Sequence, residues 1–79
     1  MPSAAHEAGY SAGKTAANKA KSVILLTRDT VQRGVVAGNA YKEFLQKVSQ
    51  DQKWWLRYPQ FAVGFWQGFM DRADQIILE

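Results

Sequence analysis

One segment near the N-terminus carries residue types that could bind a phosphate group. Residues 8–15 read Ala-Gly-Tyr-Ser-Ala-Gly-Lys-Thr and match a relaxed phosphate-loop pattern, with Ala in place of the first Gly. That chemistry needs a strand, then a loop of backbone N–H groups, then a helix whose Lys and Thr meet phosphate and Mg²⁺. Residues 1–7 cannot supply a buried strand, and no apolar strand ending in an acid follows. The segment therefore predicts an alanine-rich helix with an exposed Lys14.

The other residues that could do chemistry are too few to form a catalytic or metal site. His6 is the only histidine and cysteine is absent. The chain therefore lacks a second His or Cys ligand for a metal site and a Cys–His pair for nucleophilic catalysis. Asp71 and Asp74 could share a helix face, as paired acids do in hydrolases, but a solvated face is the simpler interpretation. We therefore expect a non-catalytic protein without a cofactor or a bound metal.

Length and composition indicate one small domain that gains stability by association. Domains of 79 residues usually need disulfides, a metal, ideal packing or self-association, and this chain has no cysteine. The formal net charge is +3, and the longest aliphatic run, residues 23–26, is far too short to cross a membrane. No secretory signal pattern is visible. We expect a small basic protein, a single helical domain over residues 1–79, located in the cytoplasm and without a membrane span.

The N-terminal third has the pattern of an amphipathic helix with small apolar residues. Ser3 suits an N-cap, and alanine and glycine line one face of residues 3–21, while polar side chains line the other. Small side chains bury little area, so a partly ordered Ala/Gly/Lys-rich arm over residues 1–21 is the alternative.

The remainder predicts further helices and no strands. A second helical stretch covers residues 22–52, and Asp29 with Gln32 resembles a capping box, so a break is expected just before it. Pro59 fits the first turn of a third helix over residues 59–78. The predicted fold is all-α, closely packed through glycine and alanine and oligomeric. It is a three-helix up-down arrangement or, without the break, a long helix plus a shorter C-terminal helix.

Apolar residues of the second stretch recur near the helical period. Arg33 and Lys47 stand among the polar residues between them. The pattern predicts one apolar face on an amphipathic helix. That face contains Val31, Val35, Gly38, Leu45 and Val48.

All six glycines fall into pairs at a spacing of four residues, one pair for each candidate helix. Glycine inside a helix costs roughly 0.5–1 kcal/mol relative to alanine, so three such pairs suggest that close backbone approach compensates for the cost. The same small-xxx-small geometry lets helices touch along their backbones. The pairs are Gly9/Gly13, Gly34/Gly38 and Gly64/Gly68.

Aromatic residues concentrate in the middle and C-terminal parts of the chain. The third helix is apolar over well more than half its circumference, so two neighbouring helices are expected to leave an exposed patch, and such patches mark interaction sites. Trp54 and Trp55 could pack a helix corner, anchor a partner or lie at a membrane surface. The predicted interface residues are Trp54, Trp55, Phe61, Gly64, Phe65, Trp66, Gly68 and Phe69.

These features favour a protein-interaction or structural subunit that self-associates through its aromatic C-terminal helix, as a homo-oligomer or a repeating assembly. A small accessory protein that blocks another protein's surface is one alternative, since it would use the same kind of face. A basic nucleic-acid-associated protein is the other. Its affinity would fall steeply with salt. The residues expected to contact phosphates in that case are Lys14, Lys19, Lys21, Arg28 and Arg33.

Overall fold

The computed structural model describes residues 3–48 and 55–79, and within these ranges the chain is helical, without strands. A single 3₁₀ turn at residues 55–57 precedes the last helix. Where three helices were predicted, the second stretch divides into a short helix and a long one. The four helices are α1 (Ala4–Lys19), α2 (Lys21–Leu25), α3 (Thr30–Lys47) and α4 (Pro59–Leu78).

The predicted helix starts are confirmed by local hydrogen bonds. The Ser3 hydroxyl accepts a hydrogen bond from the backbone N–H of His6 at 3.1 Å, as an N-cap does. Asp29 accepts from the backbone N–H of Gln32 at 2.8 Å and begins α3. Pro59 occupies the first turn of α4, where its missing N–H costs nothing.

Two interruptions separate α1 from α3. The backbone N–H of Ala20 bonds to the carbonyls of both Ala16 and Ala17, which tightens the last turn of α1 before α2 begins. After α2, the Thr27 hydroxyl donates to the carbonyl of Ile24 at 2.5 Å, and Asp29 caps the next helix. The break predicted just before Asp29 is therefore present, and α1 and α3 do not form one continuous rod.

Helices α1 and α4 interlock through two of the three glycine pairs. A Cβ atom on Gly9 would overlap the carbonyl oxygen of Phe61, and one on Gly13 would overlap that of Phe65. The contact is reciprocal, because Gly64 and Gly68 lie equally close to carbonyl oxygens of α1. The two backbones therefore touch directly, and glycine is required at these positions for steric reasons.

Polar contacts show that α1 and α4 run in the same direction. Residues farther along α1 contact residues farther along α4. Near the start of α1, His6 Nε2 lies 2.9 Å from Gln67 Oε1. Farther along, Arg72 Nε donates to Asn18 Oδ1 at 2.6 Å. Helix α3 runs the opposite way against α4, since Phe44 stacks on Phe61 while Gly34, ten residues earlier, meets Trp66.

The core lies where α2, α3 and the interlocked pair meet. Phe65 is at its centre, with the Tyr41 ring 5.0 Å away edge-on and the Phe44 ring at 5.6 Å. Such aromatic pairs contribute about 0.5–1.5 kcal/mol beyond the area that they bury. The buried cluster consists of Ala17, Ile24, Ala37, Phe65, Phe69, Ala73 and Ile76.

One hydrogen bond between α1 and α4 is expected to make the stability of the fold depend on pH. The Tyr10 hydroxyl donates to Asp71 Oδ2 at 2.7 Å, and this hydrogen bond is the main cause that raises the pKa of Tyr10 above 10.0. Because the folded pKa lies above the unfolded one, the contact stabilises the fold fully below pH 10. Its contribution is lost as the pH rises through the raised pKa.

We therefore expect Asp71→Asn to lower the pKa of Tyr10 towards its ordinary value, measured by NMR on ring-labelled tyrosine. The raised pKa of Tyr41 has burial as its cause and serves as the internal control, since it should not change. A Tyr10 pKa that is the same in both proteins would contradict the assigned cause.

Candidate interaction face

Helix α3 carries apolar side chains in two rows, which lie on different sides of the helix. Its inner side packs against the core, where Ala37 is buried and Tyr41 and Phe44 contact the phenylalanines of α4. Its outer side carries a second row at helical spacing, and these residues lie at the surface. A helix of a small domain normally has one apolar stripe, which faces the core. The second row is the feature that the core does not explain.

The outer row is largely the apolar face that the sequence pattern predicted for this helix. Val31, Val35 and Leu45 are 76%, 61% and 40% exposed, so they do not form the inward face of the helix. The inward face instead contains small residues and rings, because these fit against the closely packed α1 and α4. Arg33, predicted among the polar residues, turns inward: its side chain is 14% exposed and its Nε lies 3.9 Å from Asp74.

The third glycine pair lies on or beside this outer row. Apart from the local backbone of α3, no atom in the described ranges comes within 4 Å of a Cβ built on Gly38. A Cβ on Gly34 would meet only the side chain of Trp66, at 3.0 Å from its Cη2 atom. Unlike the other two pairs, this one has no helix backbone against it.

Helix α4 extends the exposed apolar surface on the side of Gly34. Trp66 is 47% exposed, and Val63, one turn earlier on the same side of α4, is 46% exposed. Because the Trp66 ring touches Gly34, these side chains adjoin the outer row of α3. We call the combined surface the outer face. It consists of Val31, Val35, Gly38 and Leu45 on α3 and Val63 and Trp66 on α4.

The interface residues predicted on α4 occupy two different environments. Phe61, Phe65 and Phe69 are 3%, 1% and 0% exposed, because the alanine and glycine face of α1, together with α2 and α3, covers them. Gly64 and Gly68 are enclosed by the backbone of α1. These five residues therefore face the interior of a single chain, and the expectation that two neighbouring helices leave these rings exposed does not describe this fold.

The tryptophans differ from the phenylalanines. Trp66 is the member of the predicted set on α4 that reaches the surface. Trp55 is partly exposed and lines a groove between α1 and α3. Trp54 lies outside the described residues.

That groove has a volume of about 620 Å³ and an apolar floor. Alanines of α1, among them Ala12 and Ala16, form one wall, and Phe44 with Phe61 forms another. At its rim Lys47 Nζ lies 2.7 Å from Glu43 Oε1, and this hydrogen bond lowers the pKa of Glu43. No sequence pattern predicted the groove, because its existence depends on the distance between two helices.

The basic residues considered for nucleic-acid binding are dispersed, and several have acidic or aromatic neighbours. Lys21 Nζ lies 3.2 Å from a carboxylate oxygen of Glu79, and Arg33 faces Asp74. The Lys14 ammonium lies 5.6 Å above the Tyr10 ring. Lys19 and Arg28 are exposed.

The phosphate-loop pattern falls entirely within α1, as the sequence interpretation expected. Gly9 and Gly13 of this segment are buried against the backbone of α4, and Lys14 is exposed. A phosphate loop needs free backbone N–H groups, whereas this segment is one continuous helix.

Two further findings concern the described ranges 3–48 and 55–79. No group of three or more His, Cys, Asp or Glu side chains there is placed to hold a metal ion. No helix in those ranges combines the length and apolar character needed to cross a membrane. In comparisons with protein-family models, curated proteins and solved structures, the chain has no match.

Proposed function

We propose that this protein is a non-catalytic interaction subunit that self-associates through the outer face. The single observation that carries the proposal is the second apolar row of α3, whose Val31, Val35 and Leu45 are 76%, 61% and 40% exposed. Apolar surface removed from water stabilises an interface by roughly 25 cal/mol per Å². Full burial of one Val or Leu side chain contributes about 1.5–3 kcal/mol.

Close approach of two helices is the physical reason for the glycine on this face. Glycine at position 38 lowers the stability of α3 by roughly 0.5–1 kcal/mol relative to alanine, and no contact among the residues that the structure describes requires it. In α1 and α4 the same spacing of glycines serves direct backbone contact. A second helix packed across Gly38 would give this residue the same role.

The proposal is tested by the mass of the purified protein in multi-angle light scattering over a range of concentrations. We expect a mass above that of one 8.9 kDa chain at high concentration. Val35→Asp should raise the dissociation constant at least ~10-fold, because it places an unpaired carboxylate in the interface. Trp66→Asp should act in the same direction.

Leu25→Asp is the matched control for these variants. Leu25 is 54% exposed, close to the 61% of Val35, but it lies on α2 and outside the outer face. Circular dichroism should show that all three variants remain folded. A mass of one chain at every concentration would contradict self-association and would favour the alternative of an accessory protein that binds a different chain. Equal effects of Val35→Asp and Leu25→Asp would place the interface elsewhere.

A further inference from the structure

The outer side of α3 has the residue spacing of a coiled-coil seam. Its members follow one another at steps of 4, 3, 4 and 3 residues. Helices with this alternation supercoil around each other, because an average step of 3.5 residues keeps one stripe facing the partner. The five residues, all exposed, are Val31, Val35, Gly38, Lys42 and Leu45. This inference rests on the proposed self-association and specifies its geometry.

The seam is nearly symmetric about Gly38, and apart from the local backbone of α3 no atom of the described residues comes within 4 Å of a Cβ at this position. Val31 and Leu45 each stand seven residues from it, and Val35 and Lys42 stand three and four residues from it. We propose that the partner is a second copy of this chain whose α3 packs antiparallel across Gly38. Val31 then lies opposite Leu45 of the other copy, and the two Gly38 residues meet at the two-fold axis. Such an interface is isologous and closes as a dimer.

Charge favours this orientation over a parallel one. Lys42 is the one charged residue of the seam, and it makes no ion pair within the described part of the chain. In a parallel pair the two Lys42 side chains would face each other across the seam, and like charges in contact oppose association. In the antiparallel pair they stand eight residues apart along the axis, about 12 Å at 1.5 Å per residue.

The antiparallel pairing also gives Lys42 a suitable neighbour. Its aliphatic stem lies opposite Val35 of the other copy, and a lysine stem can cover apolar surface while its ammonium stays in water. Because Gly38 has no side chain, the two helix axes can approach closely at the centre of the seam. Val63 and Trp66 of each copy then flank the pair and widen the apolar contact.

Single cysteines distinguish the orientations, since the chain has no native cysteine. Val31→Cys and Leu45→Cys replace side chains that are 76% and 40% exposed. In the proposed dimer a disulfide forms between Val31→Cys of one copy and Leu45→Cys of the other. Two copies of the same variant keep their cysteines about 21 Å apart along the axis, too far for a disulfide.

The experiment uses each variant alone and an equimolar mixture, oxidised under mild conditions and analysed by non-reducing electrophoresis. Crosslinks in the mixture, and little in either variant alone, would support the proposal. Crosslinks in each variant alone and few mixed ones would indicate a parallel pair and overturn it. No crosslinks at all, with a dimeric mass in light scattering, would also overturn it while self-association stands. A monomeric mass at every concentration would contradict both.

A second variant tests the centre of the seam without cysteine chemistry. Gly38→Glu places two carboxylates at the two-fold axis, and open space around Gly38 allows the fold to accept the side chain. The dissociation constant should rise at least ~10-fold while the helical circular dichroism is retained. Ser11→Glu, which adds the same charge at an exposed position of α1, should leave the dissociation constant unchanged. Equal effects of the two variants would count against Gly38 as the contact point.

Discussion

Gly13→Ala is expected to lower the free energy of unfolding by at least about 3 kcal/mol. A methyl group on Gly13 would overlap the carbonyl oxygen of Phe65 and come within 2.8 Å of the backbone nitrogen of Phe69. Backbone cannot rotate away as a flexible side chain can, so α1 must move away from α4. Overpacking of this kind typically costs 1–3 kcal/mol and occasionally more. The loosened contact along the rest of the pair adds to that cost.

Chemical denaturation followed by circular dichroism measures this effect, at a concentration low enough that association does not contribute. A domain of this length has a total stability of roughly 4–12 kcal/mol, so the variant is expected to lose roughly a quarter to three quarters of it. Gly68→Ala should behave in the same way, because its Cβ would overlap the carbonyl oxygen of Tyr10.

Gly38→Ala is the matched control, since it makes the same chemical change inside another helix. Beyond the local backbone of α3, no atom of residues 3–48 and 55–79 lies within 4 Å of the added methyl group, and alanine has the better helix propensity. This variant should therefore raise the free energy of unfolding by roughly 0.5–1 kcal/mol. If Gly13→Ala and Gly38→Ala changed stability in the same direction, the interlocked packing of α1 and α4 would be wrong.

Ile76→Ala is expected to destabilise the protein by about 2–5 kcal/mol. Its side chain is 1% exposed and belongs to the core cluster, so its truncation leaves a cavity among groups that cannot fully collapse. The chain supplies its own control in the next residue: Ile77 is 39% exposed, and Ile77→Ala should cost much less. Urea unfolding curves of the two variants provide the comparison. If both variants lost the same free energy of unfolding, α4 would be rotated about its axis relative to the described packing.

The sequence predicted the starts of the helices well, because capping depends on neighbours within a few residues. Ser3, Asp29 and Pro59 each act on the backbone of their own first turn, so their roles do not depend on the rest of the fold. Residues 22–25 were predicted to be helical as the start of the 22–52 stretch, but α2 was not predicted as a separate short helix. It is separated from α1 at Ala20, a residue whose type does not signal a helix end.

The glycine pairs show what the sequence could and could not decide. Their spacing indicated close backbone approach, but the residue types around them are insufficient to say which pairs would meet. The structure joins the pairs of α1 and α4 and leaves Gly38 in the open. Which surfaces pair is a competition among all helices for burial, and a local pattern contains no information about its outcome.

The interface predicted on α4 differs from the surface that we propose for the same reason. The apolar character of α4 was evident from its composition, and Trp66, one of the predicted interface residues, is 47% exposed. The phenylalanines were expected at the surface because two helices seemed too few to cover them. Close approach of α1 lets one smooth helix enclose ring surface that a bulkier helix could not reach.

What the sequence determined by itself is an all-helical chain with capped starts, small-residue contact faces and no set of residues with catalytic or metal-binding spacing. Tertiary structure decided which helices pair and which of the two apolar sides of α3 faces inward. The physical reason is the separation along the chain over which each interaction acts. Caps and helix propensities act within about one turn, whereas burial depends on surfaces that lie far apart in the chain and meet only when the helices pack.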